Sequence, residues 1–352
     1  MQSCAVIMAA GEGKRMRSAH AKVVQEAAGK PLVGWIRDAL IQAGVRDQAY
    51  IVGHRQEEVR LALGEDVVYV LQEHQLGTGH AVMQARHFLE GRPGCTLVLC
   101  GDAPLIRAET LQAVLKQFAA EKPAALIITA EAADPAGYGR VLRAADGAVQ
   151  AIVEHKDASP EQRLVREINS SMYCFDTELL LSALDKIGCE NQQKEYYLTD
   201  TIGILISEGH RVMAYQTDFT EILGVNDRIQ LQEAAKILNN RILLRHMRAG
   251  VSIIAPDQTW IDETVSIGAD TQILPGCSLH GCTRIGSDAV IGPDSHLTDV
   301  IAGDKVHLDH VVATACMIDS GADLGPYICI RPDTATADHT GQHKICGENA
   351  GA

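Results

Sequence analysis

Residues 261–297 read IDETVS-IGADTQ-ILPGCS-LHGCTR-IGSDAV-IGPDSH-L, with an aliphatic side chain at every sixth position. The aliphatic residues of this frame are Ile261, Ile267, Ile273, Leu279, Ile285, Ile291 and Leu297. After a shift of three, a second frame runs through Val300, Val306, Val312, Ile318, Leu324 and Ile330. A six-residue period predicts a β-solenoid, in which each hexapeptide forms one face of a coil and turns its aliphatic side chain inward. A β-sandwich would instead alternate with period two.

Two further features of the repeat support the solenoid. The residue four positions after the aliphatic one is small or β-branched at Val265, Thr271, Cys277, Thr283, Ala289 and Ser295. Glycine follows the aliphatic residue at Gly268, Gly286 and Gly292, which suits tight corners that need a permissive backbone. Beyond Ile330 the expected positions hold Thr336 and Gln342, so we predict a cap or tail over residues 334–352.

The chain before the repeat predicts a different architecture. A helical pattern without Pro or Gly runs from Asn226 to Arg248 and ends at Gly250, as expected of a connector. Further upstream, short apolar runs alternate with helical patterns, which is typical of βα units on a mostly parallel sheet. The predicted fold is therefore α/β, with a Rossmann-like domain over 1–226, a linker helix over 227–250 and a β-helix over 251–333.

Composition restricts the partners of the chain. Among its 352 residues, 31 are Lys or Arg and 45 are Asp or Glu, giving a net charge of −14. This charge argues against nucleic acid or an anionic membrane as the main partner. The apolar run Cys4–Ala10 is too short and wrongly flanked for a signal peptide, and no apolar stretch approaches bilayer-spanning length. With ten scattered cysteines and no C-x-x-C pair, we expect a soluble, cytoplasmic protein.

A glycine-rich loop follows the first predicted strand. Residues 8–17 read MAAGEGKRMR, where two glycines allow close backbone approach to a ligand and the cations can meet phosphate oxygens. The loop is not a Walker loop, because no G-K-[ST] follows, and Met16 stands where a dinucleotide fingerprint needs glycine. A glycine turn with solvated basic residues remains the alternative.

Two further loops follow predicted strands. Gln72 offers an amide donor and a carbonyl acceptor, the pair that reads a pyrimidine edge, and Gly77 leaves room for backbone contact. Asp102 follows an apolar strand, where a carboxylate can bind Mg²⁺ beside phosphates. A lone Asp in this position is more often a turn or helix-cap residue. The carboxyl ends of parallel strands share one edge, so the three loops are expected around one cleft.

These motifs resemble a known family. The segment MAAGEGKRM is similar to the L-A-A-G-x-G-T-R-M signature of sugar-nucleotide pyrophosphorylases, and Lys22 stands at the position of that family's lysine. More narrowly, residues 4–332 resemble the bacterial bifunctional enzymes that make UDP-N-acetylglucosamine, which combine a uridylyltransferase domain with a left-handed β-helix acetyltransferase domain. Other matching segments are 72–81, 101–102, 137–140, 153–157, 167–169, 195–200 and 224–226.

The resemblance implies a set of site residues. Ala10, Gly11, Gly13, Gln72, Gly77 and Thr78 would bind the nucleotide. Arg15 and Lys22 would be catalytic and hold phosphates, and Asp102 and Asn226 would bind Mg²⁺. The sugar pocket would be formed by Gly139, Glu154, Asn169, Tyr197 and Thr199. The implied substrates are UTP and N-acetylglucosamine 1-phosphate, and the implied assembly is a homotrimer through the β-helix.

The sequence also departs from the family pattern. Ala21 replaces the usual proline before Lys22, Lys14 replaces threonine, Cys100 replaces an aromatic residue, and Ser171 stands in place of glycine. The last two leave a different sugar or nucleotide as the alternative. The family's β-helix continues beyond the equivalent of Arg331-Pro332, so we expect acetyltransferase activity to be absent. A non-catalytic trimeric scaffold and a hexapeptide acyltransferase are alternatives of other classes.

Overall fold

A computed structural model describes residues 2–53, 55–191 and 193–332 of the chain. It divides into two compact units, Met1–Gln25 with Pro31–Ala234, and Glu26–Lys30 with Ala235–Ala352. The predicted cap or tail over 334–352 lies outside the described residues. The domain boundaries expected from the sequence stay predictions.

The strands of the first part of the chain are β1 Ser3–Ala9, β2 Glu26–Ala27, β3 Lys30–Pro31, β4 Asp47–Val52, β5 Val68–Leu71, β6 Cys95–Cys100, β7 Ala125–Glu131, β8 Arg140–Arg143, β9 Val149–Val153, β10 Glu167–Asp176 and β11 Val212–Thr217. Among the described residues, one sheet of nine strands forms the centre of the first unit, in the order β11-β7-β10-β6-β1-β4-β5, with β8 paired to β10 and β9 paired to β8. Strand β10 pairs antiparallel with β6 and β7, and the other pairs along this order are parallel. The predicted mostly parallel α/β sheet is confirmed. Strands β2 and β3 form a separate pair.

Helices join the strands of this sheet. The sequence predicts one helix after β5, whereas the structure has two, because the first ends at Gln84 and the second begins at Arg86. The helix of the connector region runs from Arg228 to Arg248. The helices are α1 Leu32–Gln42, α2 Gln56–Leu63, α3 Thr78–Gln84, α4 Arg86–Leu89, α5 Ala108–Glu121, α6 Pro160–Arg163, α7 Thr177–Leu184, α8 Asp200–Ser207 and α9 Arg228–Arg248, with 3-10 turns at Lys14–Met16, Lys22–Val24, Phe219–Ile222 and Pro256–Gln258.

Both faces of the central sheet are buried. Along β1, Ala5 and Ile7 pack into one hydrophobic cluster, while Cys4 and Val6 pack into another on the opposite face. A strand covered on both sides needs a continuous apolar run rather than an alternating one, as β1 has. Strands β1, β4, β5 and β6 are parallel, so the loops that follow them meet at one edge of the sheet.

The second unit contains a parallel β-helix. Its short strands stack into three parallel sheets, which is consistent with the expected left-handed β-helix of hexapeptide repeats. The strands are β12 Ser252–Ile253, β13 Trp260–Ile261, β14 Ser266–Ile267, β15 Gln272–Ile273, β16 Ser278–His280, β17 Arg284–Ile285, β18 Val290–Ile291, β19 His296–Thr298, β20 Ile301–Ala302, β21 His307–Leu308, β22 Val311–Thr314, β23 Met317–Ile318, β24 Asp323–Leu324 and β25 Ile328–Ile330.

The second hexapeptide frame is wrong in part. Val312 is 44% exposed, and Ala313 takes the inward place between Leu297 and Ile330. Val300 and Val306 are buried, but they stack below Thr283 and Ala289 instead of continuing the inward aliphatic column. The frame changes because coils shorten. Ile267 pairs with Ile285, eighteen residues on, whereas Ile285 pairs with Ala302, seventeen residues on.

The corner glycines serve two purposes. Gly292 has a φ of 106°, which requires the permissive backbone that the sequence predicts. Gly268 and Gly286 are not among the residues with positive φ. A β-carbon at Gly268 would lie 2.6 Å from the backbone of Gly286 and of Ser287 in the next coil. These two glycines are therefore needed for close approach of successive coils.

Candidate nucleotide and sugar site

Three predicted site residues meet at the edge of the sheet. The ammonium group of Lys22 donates to the carboxylate of Asp102 and, at 3.1 Å, to Oδ1 of Asn226. The side chains of Lys22 and Asp102 are 11% and 22% exposed, so the ion pair is largely shielded from water. The structure thus brings together the predicted catalytic lysine and both predicted metal ligands.

The glycine-rich loop gives Lys22 its place. Gly13 has a φ of 62°, and a β-carbon there would lie 2.7 Å from Cβ of Lys22. Any side chain at Gly13 would therefore push Lys22 away. The Ala21 amide donates to Oε2 of Glu58 at 2.7 Å. Proline has no N–H, so a proline at position 21 could not make this hydrogen bond.

A cavity of about 310 Å³ lies against the glycine-rich loop. The predicted nucleotide residues Ala10, Gly11 and Gly13 line it. Arg17 and Arg55 line it too, and of these two only Arg17 was expected at a phosphate site, as one of the cations of the loop. Arg17 belongs to the cationic loop, whereas Arg55 follows β4 and carries no motif that could have revealed it.

The structure does not bring Arg15 into this group. Arg15 is exposed in the 3-10 turn Lys14–Met16 and is not among the residues lining the cavity. Lys14, which departs from the family's threonine, is paired with Glu12 at 2.7 Å. Its charge is therefore partly neutralised within the loop.

Gln72 is held by its amide nitrogen. The side chain is buried, and Nε2 donates to the carbonyl of Gly77 at 3.4 Å and lies 3.0 Å from Nδ1 of His80. Because the carbonyl of Gly77 can only accept, the amide nitrogen must face it. Burial lowers the pKa of His80, and nearby His74 lowers it further, which favours a neutral ring that accepts at Nδ1. The orientation leaves Oε1 of Gln72 to meet a donor on a ligand.

The loop that contains Gln72 docks on residues 196–198. A β-carbon at Gly77, whose φ is 110°, would lie 2.5 Å from the carbonyl oxygen of Tyr196. The amide of Leu198 donates to the hydroxyl of Thr78 at 3.0 Å. Gly77 and Thr78 therefore connect the predicted nucleotide loop to the predicted sugar segment.

Other residues of the predicted sugar pocket lie close to the carboxylate of Glu154. A β-carbon at Gly139 would lie 3.4 Å from a carboxylate oxygen of Glu154, and Thr199 lies close enough to lower the pKa of the same carboxylate. Burial raises the pKa of Glu154, and Asp157 and Asp200 raise it further. A second cavity of about 210 Å³ is lined by Glu154 and Tyr197, together with His155 and Gln193. The hydroxyl of Tyr197 donates to Oε1 of Gln193.

Asn169 contacts Ser171, which departs from the family pattern, and Ser171 contacts Cys100, a second departure. Its Nδ2 donates to the hydroxyl of buried Tyr173 at 2.8 Å, and its Oδ1 accepts from the amide of Ser171 at 3.1 Å. Ser171 has a φ of 61°, a conformation that favours glycine. The thiol of Cys100 donates to the carbonyl of Ser171 at 3.4 Å, so the two departures are in direct contact.

Asp102 and Asn226 fit a hard divalent cation. Their oxygens already converge on one positive group, the ammonium of Lys22. Mg²⁺ prefers oxygen ligands and in nucleotide enzymes takes one or two from the protein and the rest from phosphates and water. Within the described ranges, no cluster of three or more His, Cys, Asp or Glu side chains could hold a metal. A two-ligand site completed by phosphates is therefore the form that these residues allow.

Comparisons with known proteins agree with this fold. Residues 4–262 match the nucleotidyl transferase family, and residues 264–299 match six bacterial transferase hexapeptide repeats. The curated relatives include the bifunctional protein GlmU of Acetivibrio thermocellus, 48% identical over 93% of this chain and 71% of the relative. The bifunctional protein GlmU of Enterococcus faecalis is also 48% identical, over 93% of this chain and 72% of the relative. That of Geobacillus sp. is 47% identical, over 95% and 73%.

The fold and the matches define the class as a nucleotidyltransferase with hexapeptide repeats, a sugar-1-phosphate nucleotidyltransferase of the UDP-N-acetylglucosamine pyrophosphorylase type. The chain belongs to the family of the bifunctional protein GlmU. In the part of the chain that the structure describes, no helix has the length and apolar character needed to cross a bilayer.

Proposed function

We propose that the chain transfers a uridylyl group from UTP to N-acetylglucosamine 1-phosphate, forming UDP-N-acetylglucosamine and pyrophosphate. The observation that carries the proposal is the convergence of Lys22 on Asp102 and Asn226 at the carboxyl edge of the sheet. The same edge holds the glycine-rich loop and Gln72. A cation, two oxygen ligands and a base reader are what the transfer of a nucleotidyl group requires.

In this reaction a phosphate oxygen of the sugar 1-phosphate attacks the α-phosphorus of UTP. One P–O bond forms, the bond from the α-phosphorus to the bridging oxygen breaks, and pyrophosphate leaves with its electron pair. The nucleophile is already anionic, so no Ser-His or Cys-His pair is needed. The protein's contribution is in-line positioning and charge neutralisation, for which Lys22, Arg15 and the loop amides are the candidates.

Mg²⁺ is part of the proposal. Asp102 and Asn226 would hold it, and the bound ion would neutralise phosphate charge during the transfer. Lys22 would then leave these oxygens and contact phosphate. The ammonium is long and flexible enough to exchange one set of oxygen partners for another.

A related sugar phosphate is the second candidate substrate. The contact between Cys100 and Ser171 favours it, because both residues differ from the family pattern and Ser171 hydrogen-bonds to Asn169. The reaction type is the same for either sugar. The two candidates therefore differ only in the substrate that gives the highest kcat/KM.

A substrate panel tests the proposal. Purified protein with Mg²⁺ is offered UTP, dTTP or CTP with each of several sugar 1-phosphates, and the sugar nucleotide formed is identified by mass. We expect UTP with N-acetylglucosamine 1-phosphate to give the highest kcat/KM. A different sugar as the best substrate supports the second candidate, and no turnover with any pair supports the non-catalytic scaffold.

The absence of acetyl transfer, the cytoplasmic location and the lack of a nucleic-acid or membrane partner stay predictions. Acetyl-CoA consumption with glucosamine 1-phosphate as acceptor is the direct measurement for the first. We expect none above the rate without protein. Formation of N-acetylglucosamine 1-phosphate would instead assign the chain a second activity.

Assembly as a homotrimer through the β-helix is also a proposal. Ile301 and Met317 are 45% and 52% exposed and lie opposite each other in adjacent coils, which forms an outward apolar pair. Burial of such a pair favours association of copies. Light scattering should give three times the chain mass, and Ile301→Ser with Met317→Ser should lower it. A monomeric wild type would contradict the proposal.

A further inference from the structure

Arg140 is a fully buried cation beside the proposed sugar pocket. Its side chain is 1% exposed, and its guanidinium donates to the carbonyls of Tyr138 and Arg163. Its Nη2 also lies 3.2 Å from Nδ1 of His155. His155 in turn lines the 210 Å³ cavity that Glu154 and Tyr197 form.

The contact with Arg140 determines which nitrogen of His155 carries the proton. A guanidinium stays charged in proteins and has donors only. Nδ1 of His155 must therefore accept the hydrogen bond, so the ring proton of the neutral imidazole is on Nε2. A ring protonated at Nδ1 would direct two N–H groups at each other. The ring is thus a donor at the nitrogen that Arg140 does not contact.

The surroundings of the cavity favour such a donor. The carboxylates of Glu154 and Asp157 line it and can accept hydrogen bonds from sugar hydroxyls, while Lys156 lines it as an exposed cation. A sugar phosphate also presents oxygens that need a donor. The N–H group at Nε2 of His155 supplies one.

We propose that Arg140 positions His155 in its Nε2–H form, and that His155 donates from Nε2 to an oxygen of the sugar 1-phosphate. His155 is then a binding residue for this substrate, and Arg140 acts through it. The inference rests on the proposed function for the identity of the ligand. The proton position on His155 follows from the contact with Arg140 alone.

The proton position is measured on the wild-type protein. Long-range ¹H–¹⁵N correlation of ¹⁵N-histidine-labelled protein, assigned with a His155 variant, reports which ring nitrogen is protonated. We expect an unprotonated Nδ1 and a protonated Nε2. A protonated Nδ1 at neutral pH would overturn the inference, whether or not the protein transfers uridylyl groups.

Two substitutions separate substrate binding from a purely structural role. In His155→Asn, the amide oxygen can replace Nδ1 and keep the Arg140 hydrogen bond, but the donor at the Nε2 position is lost. In His155→Gln, the amide nitrogen reaches the Nε2 position. We expect KM for N-acetylglucosamine 1-phosphate to rise about 3–10-fold in His155→Asn, with KM for UTP unchanged, and to stay nearer the wild-type value in His155→Gln.

The opposite ranking would overturn the inference. If Arg140 and His155 only hold the fold, His155→Asn should behave as wild type and His155→Gln should lose thermal stability. Titration of N-acetylglucosamine 1-phosphate by calorimetry gives the same comparison without turnover, so a failure of the proposed reaction remains distinguishable.

Deoxy analogues then show whether the oxygen is a hydroxyl. If His155 contacts a hydroxyl, removal of that hydroxyl should weaken binding to the wild type but not to His155→Asn. If His155 contacts the phosphate, His155→Asn should bind every analogue more weakly than the wild type does, by the same factor.

Discussion

The ammonium of Lys22 contacts the carboxylate of Asp102, although the two residues are 80 positions apart in the chain. Asn226, from the end of the same unit, completes the contact at 3.1 Å. A buried ion pair gives little net stability, because the loss of hydration offsets the attraction. The arrangement is better explained by chemistry, since it holds a mobile cation at the place where a metal and phosphates would meet.

Lys22→Ala should lower kcat for uridylyl transfer by about 100-fold or more. Removal of one preorganised cation or donor from a charge-stabilising site has effects of this size. Circular dichroism should show the native fold. Lys116→Ala, which removes an exposed lysine from helix α5, is the matched control and should keep wild-type kcat. Near-normal transfer by Lys22→Ala would refute the assigned role.

Metal binding without nucleotide should respond in opposite directions to two substitutions. Since Lys22 occupies the oxygens of Asp102 and Asn226, Lys22→Met should bind Mn²⁺ more tightly than wild type, and Asp102→Asn more weakly. Electron paramagnetic resonance of free Mn²⁺ measures both. Asp146→Asn, in the turn after β8, is the control. Unchanged affinity in both variants would place the metal elsewhere.

Gln72→Met should reduce discrimination between UTP and CTP. The amide nitrogen of Gln72 is occupied by Gly77 and His80, so Oε1 is the atom left to accept from N3–H of uracil. Cytosine has no proton at N3. We expect kcat/KM for UTP to fall about 10–100-fold while that for CTP changes little. Gln112→Met is the control, because the exposed Gln112 side chain donates to the carbonyl of Gln42, outside the predicted site. An unchanged UTP to CTP ratio would contradict this role.

The acid limb of the pH profile should depend on Glu154. Its pKa is raised above 4.5, chiefly by burial, so the carboxylate that accepts from sugar hydroxyls is lost at a higher pH than usual. We expect kcat/KM for the sugar phosphate to fall as pH falls through the raised pKa. Glu154→Gln should be slower at pH 8 and should lack this part of the profile. An identical acid limb in the variant would assign it to another group.

The same shift has a consequence for stability. Above pH 4.5 the unfolded chain has lost the Glu154 proton, whereas the folded chain still holds it until the raised pKa is passed. The free energy of unfolding therefore falls as pH rises through that window. Glu154→Gln should remove this slope, as urea titrations at several pH values can measure.

Particular residues of the β-helix show how much of the fold could be predicted from the sequence. The frame from Ile261 to Leu297 was predictable because each pair of stacked coils there is eighteen residues apart. The exposure of Val312 could not be predicted, because single-residue shortenings of the coils move the frame without changing the aliphatic character of the sequence. A search for aliphatic residues at every sixth position cannot detect a coil that lacks one corner residue.

Site residues show a similar division. The loops that carry Gly13, Gln72 and Asp102 could be predicted to share an edge, since parallel strands end together. The side-chain contacts within the site could not be predicted in this way. No local pattern encodes tertiary packing, on which three features of the site depend. They are the exposure of Arg15, the hydrogen bond from the Ala21 amide to Glu58, and the contact between the His155 ring and Arg140.

The function proposed for this cleft is metal-dependent uridylyl transfer to N-acetylglucosamine 1-phosphate. Its most direct test is pyrophosphate release from UTP and this sugar phosphate by chelator-treated protein, before and after Mg²⁺ is restored. We predict release only with Mg²⁺ and both substrates present, with one UDP-N-acetylglucosamine formed for each pyrophosphate. No release with Mg²⁺ and both substrates, or equal release without metal, would contradict the account.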